Sequence, residues 1–447
     1  TAAHAATLGA SKITVNNGTV YNISGYVAQD LSGLTNNSGT IGVTTADGAT
    51  IVAASLADAT TITIGAGTAT GTAAHAATLG ASKITVNNGA TYNLSAYTTQ
   101  DLGNITSNGT IGVVNSITAG QGAAIAADFT NVSFDGGVSD QFGNVVNAGA
   151  GSVHADMAAI DAKDPNVNVV VTDIIANASA ANVTDLNALM SATTGDVTAS
   201  INGNVAELDD LQNAGTASVQ KLTITVNDVV TVSEGATIMA KSTLDVAFGG
   251  GVADSFASMR GSGTALNSDL IDIFTADTNV AVEVLGTSSV SSAERATQFT
   301  TILRSTSGSV TGTMTGSDPS NILTALTDNN NDTNAIAVTI ASVLTTTTHI
   351  ENLVDILSYT TVQVTAEIDA SQAGSDLTPT NMLDAGGSDR LDAVVAGAHS
   401  PNNDLLITGW GTAYTWDAAG TAAQTALKTK FDAINANTLI TNTGLTA

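Results

Sequence analysis

Eighteen consecutive residues occur twice without a change: Thr1 to Gly18 reads TAAHAATLGASKITVNNG, and Thr72 to Gly89 repeats it 71 positions later. The likeness continues in Tyr21-Asn22-Ile23-Ser24 against Tyr92-Asn93-Leu94-Ser95, and in Gln29-Asp30-Leu31 against Gln100-Asp101-Leu102. After a one-residue deletion, Gly39 to Val43 matches Gly109 to Val113. A tandem unit of fixed period buries its apolar face against its neighbours, so the chain is expected to build an array rather than one catalytic domain. Each copy predicts a short Ala-rich helix, then strands at 12–15 and 20–23 around Asn16-Asn17-Gly18. Asn-Gly between apolar alternations is a hairpin signal. Further strands fit 40–43, 50–53 and 61–64.

A more degenerate repeat runs from about 167 to 368. Its candidate strands are 167–171, 197–201, 222–226, 280–284, 310–314, 336–340 and 362–366. Most carry an apolar or small residue at every second position, as in Val280, Val282 and Val284, the period of a half-buried strand. Between them lie helical stripes. Ile350, Leu353, Val354 and Leu357 form one; Val183, Leu186, Leu189 and Met190 another; Ala293, Ala296, Phe299, Ile302 and Leu303 a third. Asp318-Pro319 reads as an N-cap with proline in the first helical turn. Strand starts at 280, 310, 336 and 362 are separated by 30, 26 and 26 residues, and 167 and 197 by 30. Strand–helix–strand units of this length are parallel crossovers.

The expected fold class is therefore mixed β and α/β: tandem β-rich repeats followed by a β/α solenoid-like array of short parallel strands and helices. An ordinary doubly wound α/β domain is the alternative. The expected organisation is a β-rich repeat at 1–71, a partial repeat at 72–118 and a Gly-rich connecting region at 119–166. A β/α array at 167–375 and a C-terminal cap or docking region at 376–447, with Trp410, Trp416 and a helix-like stretch at 422–434, complete it.

Composition narrows the function classes. The chain has 11 Lys+Arg against 39 Asp+Glu, a formal charge of −28. Phosphate neutralisation needs clustered bases, so nucleic acid is not an expected partner. An acidic surface suits divalent cations instead. With no cysteine, disulfides, thiolate metal sites and Cys nucleophiles are excluded. Aromatic residues are only 4% of the chain, which suits thin cores of small side chains. No segment reaches the roughly 18 uninterrupted apolar residues of a membrane span. The start at Thr1 rather than Met reads as a processed product or a fragment.

Two acidic loops are candidate calcium sites. In Asp328-Asn-Asn330-Asn-Asp332-Thr-Asn334, alternate oxygen-bearing side chains can converge on one cation, as in the first half of an EF-hand loop. Thr333 stands where that loop needs Gly and Thr339 where it needs Glu, so a polar turn suits the segment equally. Asp384 and Asp389, with Asp392, surround Gly386-Gly387 in a second loop of the same character. Gly65-Ala66-Gly67 departs from GxGxxG spacing and sits where a turn between copies is expected, so it does not read as a phosphate cradle. No HExxH or GxSxG occurs, and His4 and His75 read as helix-surface or inter-repeat packing residues. Threonine alternation, as in Thr61-Ile62-Thr63-Ile64, suits a solvated β face or a flat sugar- or ice-binding ladder.

The Ala/Thr/Asn/Asp vocabulary, the tandem copy and units such as Ser179-Ala-Ala-Asn-Val-Thr-Asp-Leu-Asn-Ala-Leu189 resemble large repetitive bacterial cell-surface proteins. These are the S-layer-like proteins and giant adhesins of marine and cyanobacterial species. The resemblance is one of style and carries over no functional residue. It implies an extracellular, non-enzymatic protein that forms a surface layer, sheath or filament through contacts with copies of itself, often with calcium. An adhesin or phage-fibre-type protein that binds cell-surface glycan is the alternative.

Overall fold

The computed structural model describes residues 1–215, 220–327, 334–360, 362–369, 375, 377, 404–408 and 440–442. The chain divides into two compact units. One comprises Thr1–Ile224 with Ala240–Leu244, the other Thr225–Met239 with Asp245–Ala447. The class is mixed α/β, with several parallel sheets.

In the first unit, consecutive strands are dealt out to different sheets. One five-stranded sheet has the order 106–107, 84–86, 61–64, 40–45, 20–26, and a second the order 132–133, 110–113, 90–95, 67–72, 49–51. The pairs within both sheets are parallel. Register follows the alternation of the sequence. Ile23, Val43, Ile62 and Ile84 stand opposite one another and face the core, at most 2% exposed. In the second sheet Ala49, Ala69, Tyr92 and Ile111 form the matching buried column. A one-residue slip would turn these apolar columns to solvent, which pins the pairing.

The expected hairpin at Asn16-Asn17-Gly18 does not form. Thr14–Asn16 pairs in parallel with Thr35–Asn37, and Val20–Tyr26 pairs in parallel with Thr40–Thr45. Gly18 takes φ 77°, and the Thr19 N–H closes on the Asn16 carbonyl at 3.0 Å. The Asn-Gly turn is real, but it swings the chain out of one sheet and into the next. Gly65-Ala66-Gly67 is likewise a turn between the strands Thr61–Ile64 and Gly67–Thr72.

Region 119–166, expected as a connector, carries helices Ala119–Asp128, Phe142–Val145 and Ala155–Asp161 with strands at 132–133 and 138–140. Gly136 and Gly122 mark close approach, whereas a Cβ at Gly143 or Gly149 would meet nothing within 4 Å. A Cβ on Gly136 would stand 2.2 Å from the Asn115 backbone, and one on Gly122 would stand 2.5 Å from Ile160. This unit also holds the strands 138–140, 169–175 and 197–203 and residues 220–224 of the next strand, in that sheet order. Val138, Val169 and Val197 are in register there and fully buried.

In the second unit, seven strands follow in chain order: Val252–Ser255, Val282–Ser289, Val310–Gly316, Ala335–Leu344, Val364–Asp369, Asp404–Thr408 and Ile440–Asn442. Each pairs in parallel with the next. The helices between the early strands bury the expected stripes. Ala293–Ser305 covers Phe299 and Ile302, Thr347–Tyr359 covers Ile350, Leu353 and Leu357, and Pro319–Leu326 is capped by Asp318 with Pro319 in its first turn. The helix-like stretch at 422–434 and both tryptophans lie outside the described residues. No helix among the described residues is long and apolar enough to cross a membrane.

Candidate functional site

Of the six residues assigned to calcium, Asp328, Asn330, Asp332, Asp384 and Asp389 lie outside the described residues. Asn334 is described. It is 5% exposed, and its Oδ1 accepts from the Val310 N–H at 2.6 Å, which ties the start of one strand to its neighbour. Among the described residues, no group of three or more His, Asp or Glu side chains converges on a point that could hold a metal ion.

The polar side chains that are buried form a different constellation, one repeated from strand to strand. Where a helix runs into the next strand, a hydroxyl reaches back to the carbonyl of the preceding strand. Thr193 Oγ1 donates to the Val167 oxygen, Thr306 Oγ1 to that of Val280, and Thr360 Oγ1 to that of Ile336, each at 2.6 Å. The Thr193 and Thr306 hydroxyl oxygens in turn accept from the Gly195 and Gly308 N–H groups at 2.9 Å. Ser242 plays this part toward Leu222.

Carboxylates form the second kind of bracket. Asp164 Oδ2 accepts the Phe134 N–H at 2.6 Å, and in the second unit Asp277 Oδ2 accepts the Phe248 N–H at 2.7 Å. Asp173 takes the Phe142 N–H at 2.6 Å. Asp185, 1% exposed, accepts from Gly149 and Gly151 at 2.6 and 2.7 Å. Gln298, also 1% exposed, holds the corresponding turn of the second unit with the opposite polarity. Its Nε2 donates to the carbonyls of Gly263 and Ala265 at 2.8 and 2.9 Å. These acids complete the backbone pairing of strands and turns, a use for a buried carboxylate that needs no cation.

The titration behaviour fits structural roles. Burial works against ionised Asp140, but bonds from Asn144 and from the Gln141 and Ala119 N–H groups outweigh it and hold the carboxyl below its usual range. Burial, with the charge of Asp164 added, pushes Asp161 up. Burial alone raises the Tyr92 phenol. His154 caps its helix, with Nδ1 accepting from the Asp156 N–H at 3.3 Å. His75 Nδ1 lies 3.2 Å from the Ile51 carbonyl oxygen, whereas His4 is exposed.

On the solvent side of the first sheet, Thr44, Thr63, Thr85 and Thr106 stand in register as a partly exposed column of hydroxyls. Parallel strands set such neighbours about 4.8 Å apart. Sequence reasoning picked out the threonine alternation but missed the brackets. A signal for them was present in Thr193-Thr194-Gly195-Asp196-Val197 and Thr306-Ser307-Gly308-Ser309-Val310. Comparison with protein-family models, with curated proteins and with solved structures gives no match.

Proposed function

We propose that the parallel sheets are coils of a β/α solenoid-like array, and that the protein is an extracellular, non-enzymatic structural repeat protein. On this reading it forms a surface layer, sheath or filament by self-association. The observation that supports it is where the polar side chains of the junctions and turns point. Thr193, Thr306, Thr360, Asp164, Asp185, Asp277 and Gln298 all bond to neighbouring backbone. Side chains arranged this way make strand-to-strand stacking the thing the sequence specifies, and stacking at a constant register is how repeat proteins build extended surfaces. Calcium at 328–334 and around 384–389 is part of the proposal, bridging carboxylates in a chain of charge −28.

The test is electron microscopy of the purified protein in negative stain, with calcium and with chelator. Filaments or lattices that disappear in chelator are expected; dispersed particles in calcium would overturn the reading. A second reading, an adhesin that binds glycan, is favoured by the Thr44–Thr63–Thr85–Thr106 hydroxyl column. Saturable binding on a glycan array by dispersed protein, lost on substituting Thr63 and Thr85 by Val, would select it.

A further inference from the structure

The duplicated stretch has one sequence and two environments. Leu8 is 63% exposed, while Leu79, its counterpart, is 4% exposed. Ile13 and Tyr21 are half-buried, while Ile84 and Tyr92 are completely buried. His4 is exposed, while His75 meets the Ile51 carbonyl oxygen. Since residues 1–18 and 72–89 are identical, local sequence cannot account for the difference.

The pairing accounts for it. Ile84–Val86 lies between Ile62–Ile64 and Thr106–Ser107, and Ala90–Ser95 lies between Gly67–Thr72 and Thr110–Val113. In the first copy, Thr14–Asn16 pairs with Thr35–Asn37 and Val20–Tyr26 with Thr40–Thr45. Among the described residues neither strand has a partner on its other edge. What the second copy has and the first lacks is one rung, the two strands at 61–64 and 67–72. That rung also shows what fits. Its strand alternates Thr and Ile, with Ile62 and Ile64 turned to the core. Opposite Tyr92 it carries only Ala69, and the Tyr92 phenol reaches over Gly71, where a Cβ would stand 2.6 Å from the phenol oxygen.

We propose that the face made by His4, Leu8, Ile13 and Tyr21, with the free edges of Thr14–Asn16 and Val20–Tyr26, docks one parallel rung from a second copy of this chain. This rests on the self-association reading above and names its surface. The rung must alternate apolar and hydroxyl residues, place a carbonyl within reach of His4 and stay small opposite Tyr21. Two such faces related by a twofold axis would pair antiparallel, unlike the covered copy. The contact is therefore heterologous and repeats from copy to copy, as a filament where the rotation does not close and as a ring where it does. Another parallel strand that a second copy offers is Ile440–Asn442. Ile440–Asn442 stands last in the strand order of its sheet, and its partner among the described residues is Leu405–Ile407.

Sedimentation velocity of the full chain over a concentration series tests this. The wild type should grow with concentration, and Leu8→Lys/Ile13→Lys should associate at least tenfold more weakly with an unchanged circular dichroism spectrum. Leu8→Lys alone reads the same face without touching half-buried Ile13, because Leu8 already stands in solvent. Ile174→Lys, at another exposed apolar position, should behave as wild type. Undiminished assembly of both Leu8 variants overturns this surface and leaves self-association standing. A wild type that stays monomeric throughout overturns both.

Discussion

At the scale of single residues, Asp185 and Gln298 do one job with opposite chemistry, and this makes them testable as a pair. Asp185→Ala leaves the Gly149 and Gly151 N–H groups without their acceptor, in a place where the side chain is 1% exposed. Both glycines are themselves exposed, so water can reach the freed donors, and a loss of about 1–2 kcal/mol in denaturant unfolding is expected. Gln298→Glu keeps size and shape but turns a carboxylate toward the Gly263 and Ala265 carbonyls, and a loss of about 3 kcal/mol is expected. Unchanged stability of Gln298→Glu would show that the bracket does not hold the turn. Asp161 supplies the pH test. Burial and the Asp164 charge raise its folded-state pKa, so below the ordinary carboxyl range it is protonated in both states and costs nothing. As pH rises through that range toward the folded value, the unfolded state ionises first and stability falls. Asp161→Asn should therefore raise the melting midpoint at pH 7 and give no gain near pH 3. A gain of equal size at both pH values would rule out this electrostatic origin.

At the scale of elements, the hydroxyl brackets make each helix-to-strand junction depend on the strand before it. Thr306→Val is nearly isosteric and removes the bond to the Val280 carbonyl, along with the acceptor for the Gly308 N–H. A loss of about 1–2 kcal/mol in chemical unfolding is expected. Thr297→Val, on the exposed face of the helix Ala293–Ser305, should change stability by less than about 0.5 kcal/mol. Equal effects would deny the junction any special role. Elements of this kind were the most legible part of the sequence. Alternation at Val310, Gly312 and Met314 and the stripe Phe299, Ile302, Leu303 reflect one-sided burial, and the structure forms a strand and a helix there. What alternation could not supply was the partner of each strand. Asn16-Asn17-Gly18 specifies a tight turn but not whether the chain after it returns beside itself or joins another sheet, since that depends on columns such as Ile23–Val43–Ile62. The neighbours of the glycines in 119–166 were out of reach of the sequence for a related reason. Gly136 reads as slack until the Asn115 backbone is seen against it. The brackets were partly legible, since a Thr two residues before Gly recurs ahead of Val197 and Val310, but the carbonyl each one meets lies more than 20 residues away.

At the scale of the whole molecule, charge opposes the proposed self-association. A chain with 39 acidic and 11 basic residues repels its own copies, so any self-association works against a net charge of −28. Two ways of relieving that repulsion predict different experiments. Screening acts through ionic strength alone, since the Debye length falls to about 10 Å at 0.1 M salt. Bridging by a bound cation acts through specific oxygen ligands, and calcium accepts the irregular, carboxylate-rich loops that magnesium, which keeps its octahedral waters, does not. The segments 328–334 and 384–389, the proposed calcium sites, carry carboxylates that such bridging would use. Association followed by light scattering at a fixed ionic strength of about 0.15 M should therefore be strengthened by calcium at least tenfold more than by magnesium, and chelator should reverse it. The Asp328→Asn/Asp332→Asn variant should lose most of the difference between the two cations while responding to sodium chloride as the wild type does. If calcium and magnesium act alike on the wild type, then screening alone offsets the charge, and the acidic loops are solvated turns with no part in assembly.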